Sequence, residues 1–318
     1  QLENRGDTAR RVEKPFPIDS RYKFVSLVFR KGRRGDGFDA AFMRRDLAEL
    51  DLQGPQPWTV RLSREEIARL SPDTLALMEY REPREQEMVR RMHDGRPTLG
   101  GNEPGAWGVT LFTDLAHDQI YNCSRGRDME LFTDPSTHRL HTPQSVLGRT
   151  PADLDELIEA MGEAGFLPVY EGKSVDQFLV GTKPIRWWLS VEQAKEKYGK
   201  EPRRLATVVF RETASNTNER TCIAALLPVG SAASHKLTGL LASSVEPEAA
   251  VTVLNSFCFD WLLRLRSAGT NVSFTYLLPV AVPEAAMANG LARVPTRTAR
   301  HAGIAHVTDD RGLWPVIW

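Results

Sequence analysis

The order of the predicted strands and helices is the strongest constraint on the fold of this chain. The clearest strand candidates are Phe166–Tyr170, Arg204–Arg211 and Thr221–Leu227, which are short and apolar and contain β-branched or aromatic residues. Helical patterns such as Ser190–Tyr198 and Pro247–Ser267 lie between and beyond them. A doubly wound parallel sheet needs a regular strand–helix–strand repeat, which this order lacks. The pattern therefore favours the α+β class, with mixed sheets, packed helices and two lobes.

Capping signals and periodicity predict the remaining elements. Ser63 is followed by Glu66, which predicts a capping box at the start of a helix Ser63–Leu70. Thr150 is a candidate N-cap for a helix Thr150–Ala164, with a proline at its first position. Further predicted elements are the strands Tyr22–Arg30, Trp107–Phe112 and Asn271–Val280 and the helices Phe38–Leu50 and Glu82–Met92.

Glycine and proline mark the predicted domain boundaries. The segment Gly95–Gly108 contains five glycines and two prolines and is the best linker candidate. We therefore predict an α/β segment at 1–100, a second domain at 101–285 and a weakly organised tail at 286–318. The chain does not begin with methionine, so we expect that it follows a missing N-terminal domain.

Composition limits the class of protein. The 41 basic and 41 acidic residues leave no net charge, which argues mildly against a free-standing nucleic-acid binder. Basic residues still cluster, with eight lysines and arginines against two acids in residues 21–45, although a solvated face is the alternative interpretation. No apolar run approaches the roughly 18 residues of a membrane span. The three cysteines, Cys123, Cys222 and Cys258, are odd in number and far apart, which predicts reduced thiols in a cytoplasmic protein.

The sequence offers no catalytic motif. A cofactor-binding glycine turn is not matched by Gly32–Gly37, whose spacing differs, and Asn102–Gly105 lacks the double proline and aromatic residue of an adenine-holding motif. His138 and His141 lie in a polar loop with no third metal ligand nearby. We therefore predict no catalytic residue and no metal ligand. The loose spacing of a metal-dependent nuclease centre leaves that activity open as an alternative.

Three segments in a fixed order carry a family resemblance. They are Tyr170–Lys173 (YEGK), Val209–Thr221 (VFRETASNTNERT) and Leu254–Arg264 (LNSFCFDWLLR). In this order and spacing they resemble the C-terminal half of type IIG restriction–modification enzymes and of the related adenine-specific DNA methyltransferases of BREX-type phage defence. The resemblance covers roughly residues 15–285 and is more specific as an ordered set than in any single segment.

The resemblance implies a division of labour. In that family an N-terminal domain binds S-adenosylmethionine and methylates adenine, and the C-terminal part recognises the DNA target. Residues 101–285 would then be the target-recognition domain, with no cofactor in this chain and S-adenosylmethionine in the missing domain. Expected partners are double-stranded DNA, that methyltransferase domain and other defence-system proteins, with no membrane. A protein-interaction scaffold in a phage-defence complex is a further alternative.

The candidate DNA-binding residues are basic or short polar side chains at strand ends and in the loop between two strands. They are Lys173, Arg186, Arg211, Ser215, Asn216, Thr217, Asn218 and Arg220. Arginine makes bidentate contacts with phosphates and base edges, and lysine reaches a phosphate as a point charge. The alternative is that the asparagines satisfy turn backbone and that Lys173 belongs to a charged hairpin.

Two further features have a structural and a functional interpretation. One of Trp187 and Trp188 is expected in the core, while the other is a candidate for packing against a sugar or base. The helix Pro247–Ser267 is expected to be scaffold, with Asp260 and Arg264 forming a surface ion pair four residues apart.

Overall fold

The computed structural model describes residues 1–4, 13–19, 23–28, 31–32, 35–72, 74–113, 119–123, 126–203, 205–214, 218–267 and 269–291. The chain divides into two compact units, residues 1–96 (unit 1) and 97–318 (unit 2). The division falls within the segment predicted to be a linker. Helices and mainly antiparallel sheets confirm the α+β class.

The described residues of unit 1 form two small antiparallel sheets and two α-helices. In chain order its elements are β1 (Leu2–Glu3), β2 (Lys23–Phe24), β3 (Gly37–Ala40), β4 (Val60–Ser63), α1 (Arg64–Leu70) and α2 (Pro83–His93), with a 3-10 helix at Leu47–Asp51. Strand β1 pairs with β2, and β3 pairs with β4.

Two predictions in unit 1 need correction. The helix predicted at Phe38–Leu50 is wrong, because Phe38 lies in β3 opposite Leu62 and only the 3-10 helix follows it. Gly37 permits this pairing, since a Cβ there would lie 2.2 Å from the Leu62 carbonyl oxygen. Of the predicted strand Tyr22–Arg30, only Lys23–Phe24 is a strand among the described residues; 22, 29 and 30 lie outside them.

Helix α1 begins as predicted, but the capping box is incomplete. The Ser63 hydroxyl accepts from the Glu66 backbone N–H at 3.0 Å. The buried Glu66 carboxylate does not return to the cap; it accepts from Gln86 at 2.9 Å and from two nitrogens of Arg90 at 2.9 Å each. This hydrogen bond from Arg90 is the main cause that raises the pKa of its guanidinium. Glu66 therefore joins α1 to α2, whose predicted position is confirmed.

Unit 2 contains the larger sheets. Its strands are β5 (Val109–Phe112), β6 (Ile120–Tyr121), β7 (Phe166–Tyr170), β8 (Val175–Asp176), β9 (Leu179–Val180), β10 (Trp187–Ser190), β11 (Thr207–Arg211), β12 (Ala224–Leu227), β13 (Ala232–Ser234) and β14 (Leu237–Ala242). Its helices are α3 (Pro143–Leu147), α4 (Leu154–Glu163), α5 (Val191–Tyr198), α6 (Pro247–Leu254), α7 (Phe257–Arg266), α8 (Phe274–Leu277) and α9 (Ala285–Leu291). Short 3-10 helices lie at Met129–Phe132 and Gly172–Ser174.

The strands of unit 2 form a mixed sheet and an antiparallel sheet, besides the β8–β9 hairpin. The mixed sheet has the order β10-β7-β13-β6, in which β7, β13 and β6 are parallel and β10 is antiparallel to β7. The antiparallel sheet has the order β12-β11-β14-β5. The strands predicted around β7, β11 and β12 are thereby confirmed.

The mixed sheet is buried on both faces. Successive side chains of a strand point to opposite faces, so each of its parallel strands contributes to two cores. One core contains Tyr121, Val169 and Ala232 together with Leu131, Phe132 and Ala194. The other contains Ile120, Tyr170 and Ala233 together with Val209, Ala225 and Leu237 of the antiparallel sheet. The two sheets of unit 2 therefore pack face to face. The 3-10 helix Met129–Phe132 and α5 cover the other face of the mixed sheet, which we call its helical side.

Gln119 joins the two sheets at the amino ends of the parallel strands. Its fully buried amide nitrogen donates to the carbonyls of Leu205 and Ser231, both at 3.0 Å. Its amide oxygen accepts from the Thr207 hydroxyl at 2.7 Å. Both polar atoms of the buried Gln119 amide therefore have partners.

Three helix or strand predictions in unit 2 were wrong in detail. Helix α4 begins at the Asp153 N-cap, which accepts from the Glu156 N–H at 2.9 Å, and not at Thr150. The single helix predicted at Pro247–Ser267 is two helices, α6 and α7. The strand predicted at Asn271–Val280 is replaced by α8. In the predicted tail, α9 reaches residue 291, and 292–318 lie outside the described residues.

Gly239 gives a test of the packing between β14 and β5. A Cβ at this position would lie 2.3 Å from Cζ of Phe112, whose ring covers the glycine. We expect Gly239→Ala to lower the free energy of unfolding by about 1–3 kcal/mol, because the ring must leave its place in the core. Denaturant unfolding measures this change.

Gly290→Ala is the matched control, because nothing lies within 4 Å of a Cβ there and the residue is in α9. It should leave the stability unchanged or raise it by up to about 1 kcal/mol. Equal stability of Gly239→Ala and the natural sequence would show that Phe112 does not fix the β14–β5 packing.

Candidate nucleic-acid interface

The carboxyl ends of three parallel strands meet at one edge of the mixed sheet. Asn122 follows β6, Glu171 follows β7 and His235 follows β13. Arg186 lies at the same edge, because it precedes the antiparallel strand β10. Crevices outside the carboxyl ends of strands are the usual ligand sites of open α/β sheets. We call this region the carboxyl edge.

The start of the loop between β11 and β12 lies at the same edge. Arg211, the last residue of β11, is opposite Leu237, the first residue of β14. The Glu212 N–H donates to the Lys236 carbonyl at 3.1 Å, which ties the start of the loop to the β13–β14 turn. Ser215, Asn216 and Thr217 lie outside the described residues, and Asn218 is exposed.

Lys173 and Arg186 are exposed at the carboxyl edge. Lys173 Nζ lies 2.9 Å from a carboxylate oxygen of Glu171, so part of its charge is balanced locally. The Arg186 guanidinium lies 4.7 Å from the centre of the Trp187 ring. Gly172 brings this turn close to Lys236, whose carbonyl oxygen would lie 3.5 Å from an added Cβ. The structure thus brings Lys173, Arg186 and Arg211 to one edge.

Trp187 and Trp188 are both buried, with 7% and 2% exposure. Trp187 packs in the core on the helical side of the mixed sheet. The prediction that one tryptophan lies in the core is confirmed, and the second tryptophan is buried as well. Neither ring is exposed for stacking on a sugar or base.

Arg220 is held by internal partners. Its guanidinium donates to the Asn255 carbonyl, and Nε lies 3.7 Å from Oδ1 of Asp260. It covers the Phe257 ring at 4.4 Å from the ring centre. With the Gln177 amide oxygen facing it, that oxygen accepts from Nη2 and Nε at 3.0 and 3.1 Å. The side chain is 12% exposed, a geometry that favours a structural role in the loop.

Asp260 organises the end of the same loop. One carboxylate oxygen accepts from the backbone N–H groups of Thr221 and Cys222, both at 2.7 Å. The other accepts from Nε of Arg264 at 2.7 Å, so the predicted ion pair is confirmed. Its placement at the surface was wrong, because Asp260 is buried. The spacing of four residues signalled the pair, but the loop partners lie about 40 residues away and gave no sequence signal.

Asn255 explains why the predicted long helix is interrupted. Its side-chain amide pairs with both backbone groups of Ala224, accepting at 3.0 Å and donating at 2.8 Å. Ser256 then caps α7 by accepting from the Phe259 N–H at 3.2 Å. Because β12 is an edge strand of its sheet, Asn255 takes the place of a neighbouring strand.

Burial raises the pKa of the Cys222 thiol well above its usual range, and the nearby Asp260 carboxylate adds to the effect. Burial likewise raises the pKa of Cys123, with Glu171 contributing. Both thiols are therefore protonated near neutral pH and are poor nucleophiles. The three cysteines form no disulfide in the structure.

His141 is engaged by Gln193 at 3.0 Å. Among the described residues, no group of three or more histidine, cysteine, aspartate or glutamate side chains is arranged to hold a metal ion. None of the helices in the described ranges is long and apolar enough to cross a membrane.

Comparison with models of known protein families gives no match. A search of curated proteins likewise finds no related sequence. The family resemblance in the three ordered segments therefore stays an expectation.

The Asp260 contacts predict a large loss of stability on substitution. Asp260→Ala removes the acceptor of two backbone N–H groups and the carboxylate that pairs with the guanidiniums of Arg220 and Arg264. We expect the free energy of unfolding to fall by about 3–5 kcal/mol, as for other buried charges that lose a partner. Thermal and denaturant unfolding measure the loss.

Asp260→Asn is the comparison variant. It keeps an oxygen that can accept from the two backbone N–H groups but removes the charge, so its loss should be smaller than that of alanine. Asp260→Ala with a natural melting temperature would show that this loop is held by other contacts.

Proposed function

We propose that this chain is the DNA target-recognition portion of a bacterial adenine-specific DNA methyltransferase of a restriction–modification or phage-defence system. The observation that carries the proposal is the convergence of Lys173, Arg186 and Arg211 at the carboxyl edge. These residues lie 13 or more positions apart in the sequence. Lys236, which the sequence did not single out, adds a fourth cation there.

The basic residues of this region fall into two groups. Arg220 and Arg264 have buried Asp260 as a partner and support the loop. Arg186, Arg211 and Lys236 have no ion pair within the described ranges. Phosphate contacts fix a protein on the duplex and base contacts provide sequence reading. We assign phosphate contacts to the second group, and base contacts to the part of the loop around Asn218.

Catalysis lies outside this chain in the proposed enzyme. Adenine methylation requires a base flipped from the duplex into a pocket that holds its amino group. We place that pocket and S-adenosylmethionine in a methyltransferase domain of the same protein. The role of this chain is then to bind double-stranded DNA and to set which base reaches that domain.

A protein-contact role is the second candidate function, and exposed apolar side chains of unit 1 favour it. Val25, Leu27 and Val28 have 72%, 72% and 94% exposure. Contiguous patches of exposed apolar side chains mark protein–protein interaction sites. Such a surface suits a methyltransferase domain or another defence-system protein, and it does not conflict with DNA binding by unit 2.

DNA binding should depend strongly on salt. Each phosphate contact releases counterions, which contributes about −0.9 to the slope of log affinity against log salt. We expect Arg186→Gln to weaken binding to all duplex sequences equally and to make that slope shallower by about one. Fluorescence anisotropy of labelled duplexes between about 50 and 200 mM salt measures both quantities.

Lys195→Gln is the control, because Lys195 is exposed and paired with Glu201 at 3.0 Å. It should leave affinity and slope unchanged. Affinity that does not vary over this salt range would exclude a phosphate-led interface, and stable capture of a partner protein without DNA binding would favour the second candidate.

Substitution of Arg220 distinguishes a structural role of this residue from a role in base recognition. Because its guanidinium is internally held, Arg220→Ala should lower the melting temperature, while the protein that remains folded keeps its order of preference among duplex sequences. Melting curves and binding to a panel of duplexes, made on one preparation, test this. Relaxed discrimination at one base position with natural stability would instead identify Arg220 as a base-reading residue.

A further inference from the structure

Arg211 and His235 point into the space between the two sheets of unit 2. Arg211 is two residues from Val209 on β11, and Val209 lies in the core between the sheets. His235 is two residues from Ala233, which lies in the same core, and its N–H continues the pairing of β13 with β6 by donating to Tyr121 at 2.9 Å. Side chains two residues apart on a strand share a face.

Both side chains bring an unsatisfied nitrogen into this space. Nε of Arg211 and Nδ1 of His235 are buried and have no hydrogen-bond partner within the described ranges. At the opposite end of the same interface, both polar atoms of the Gln119 amide have partners. Unpartnered buried polar groups are costly, and a bound ion or ligand is one way to satisfy them.

Two carboxylates at the ends of the neighbouring strands, those of Glu212 and Glu171, already have other partners. Glu212 follows Arg211 on the chain, and its carboxylate accepts from the Thr238 hydroxyl at 2.9 Å. Glu171 follows Tyr170 and pairs with Lys173. Lys236, next to His235, is exposed and adds positive charge beside the opening. Within the part of the chain that the structure describes, no carboxylate satisfies the buried nitrogens of Arg211 and His235.

We propose that Arg211 and His235 form a phosphate-binding cleft between the two sheets at the carboxyl edge, with Lys236 beside its opening. A guanidinium matches phosphate oxygens by paired hydrogen bonds, and an imidazole N–H adds a further donor. The inference rests on the proposed function in one respect, which is that the phosphate belongs to the DNA backbone. A free phosphate ion has the same chemistry, and the experiment distinguishes the two sources.

The test compares the natural chain with Arg211→Met and His235→Gln, and uses Arg139→Met as a control for an exposed arginine of another loop. Melting temperatures are measured in inorganic phosphate and in chloride at equal ionic strength and pH. Binding of a labelled DNA duplex is measured by anisotropy across a salt series.

In chloride, Arg211→Met should melt at the same temperature as the natural chain or higher, because the Arg211 guanidinium makes no side-chain hydrogen bond to the residues that the structure describes. Phosphate should raise the melting temperature of the natural chain and of Arg139→Met, and should raise that of Arg211→Met and His235→Gln less. DNA affinity should fall about tenfold in Arg211→Met, with a salt slope shallower by about one.

The alternative results are distinct. Equal stabilisation of all four proteins by phosphate, together with natural DNA affinity of Arg211→Met and His235→Gln, would overturn the cleft and leave the proposed function standing. Phosphate stabilisation that is lost in both variants, in a chain that binds no duplex, would support the cleft as a site for a free anion and refute the DNA function. A lower melting temperature of Arg211→Met in chloride, with unchanged phosphate response, would make Arg211 structural.

Discussion

The two-sided burial of the mixed sheet determines the arrangement of unit 2. Its parallel strands are short, and nearly every residue in them is apolar, so each face must be covered. The helical side covers one face and the antiparallel sheet covers the other. The interface between the two stacked sheets has two ends, one at each end of the strands. A buried glutamine closes one end, and the loops that carry cationic side chains lie at the other.

Side chains from the helices form hydrogen bonds with backbone groups that have no partner in a neighbouring strand. The amide of Asn255 pairs with an edge strand as another strand would, and the carboxylate of Asp260 accepts backbone N–H groups that precede that strand. Both residues come from the region where α6 ends and α7 begins. The interruption of the helix therefore directs both Asn255 and Asp260 towards β12 and the loop before it. The single buried face of one continuous helix would not do so. This arrangement fixes the end of the β11–β12 loop from outside the sheet.

Elements fixed by local chemistry were predictable from the sequence. Helix α5 follows its Ser190 cap, and β7 ends where its apolar run ends. The region Phe38–Leu50 was not predictable, because its apolar spacing suits a helix while the pairing of Phe38 with Leu62 is a tertiary contact. The break at Asn255 was hidden for a similar reason, since α6 and α7 both bury apolar residues and the partner Ala224 lies 31 positions earlier.

The same limit applied to the candidate site. Arg211 and Arg220 are the same residue type in one polar loop, and the sequence treated them alike. They differ in their neighbours, because Arg220 meets Asp260 and Asn255 whereas Arg211 faces the space between the sheets. The sequence did not indicate Lys236 and His235 as candidate site residues, because a two-residue turn of ordinary composition carries no motif. Only the parallel pairing of β13 with β6 and β7 places that turn beside the other cations.

The covering of β12 has a consequence for how this chain is made. Ala224–Leu227 is a short apolar edge strand, and its outer side is occupied by the amide of Asn255 and by the Phe178 N–H, which donates to the Ala224 carbonyl at 2.9 Å. During synthesis the strand emerges before the residues of α6 and α7. Until they follow, the part of this edge that Asn255 covers is available to neighbouring nascent chains. Aggregation of this protein should therefore be most sensitive to delays in translation between residues 227 and 255.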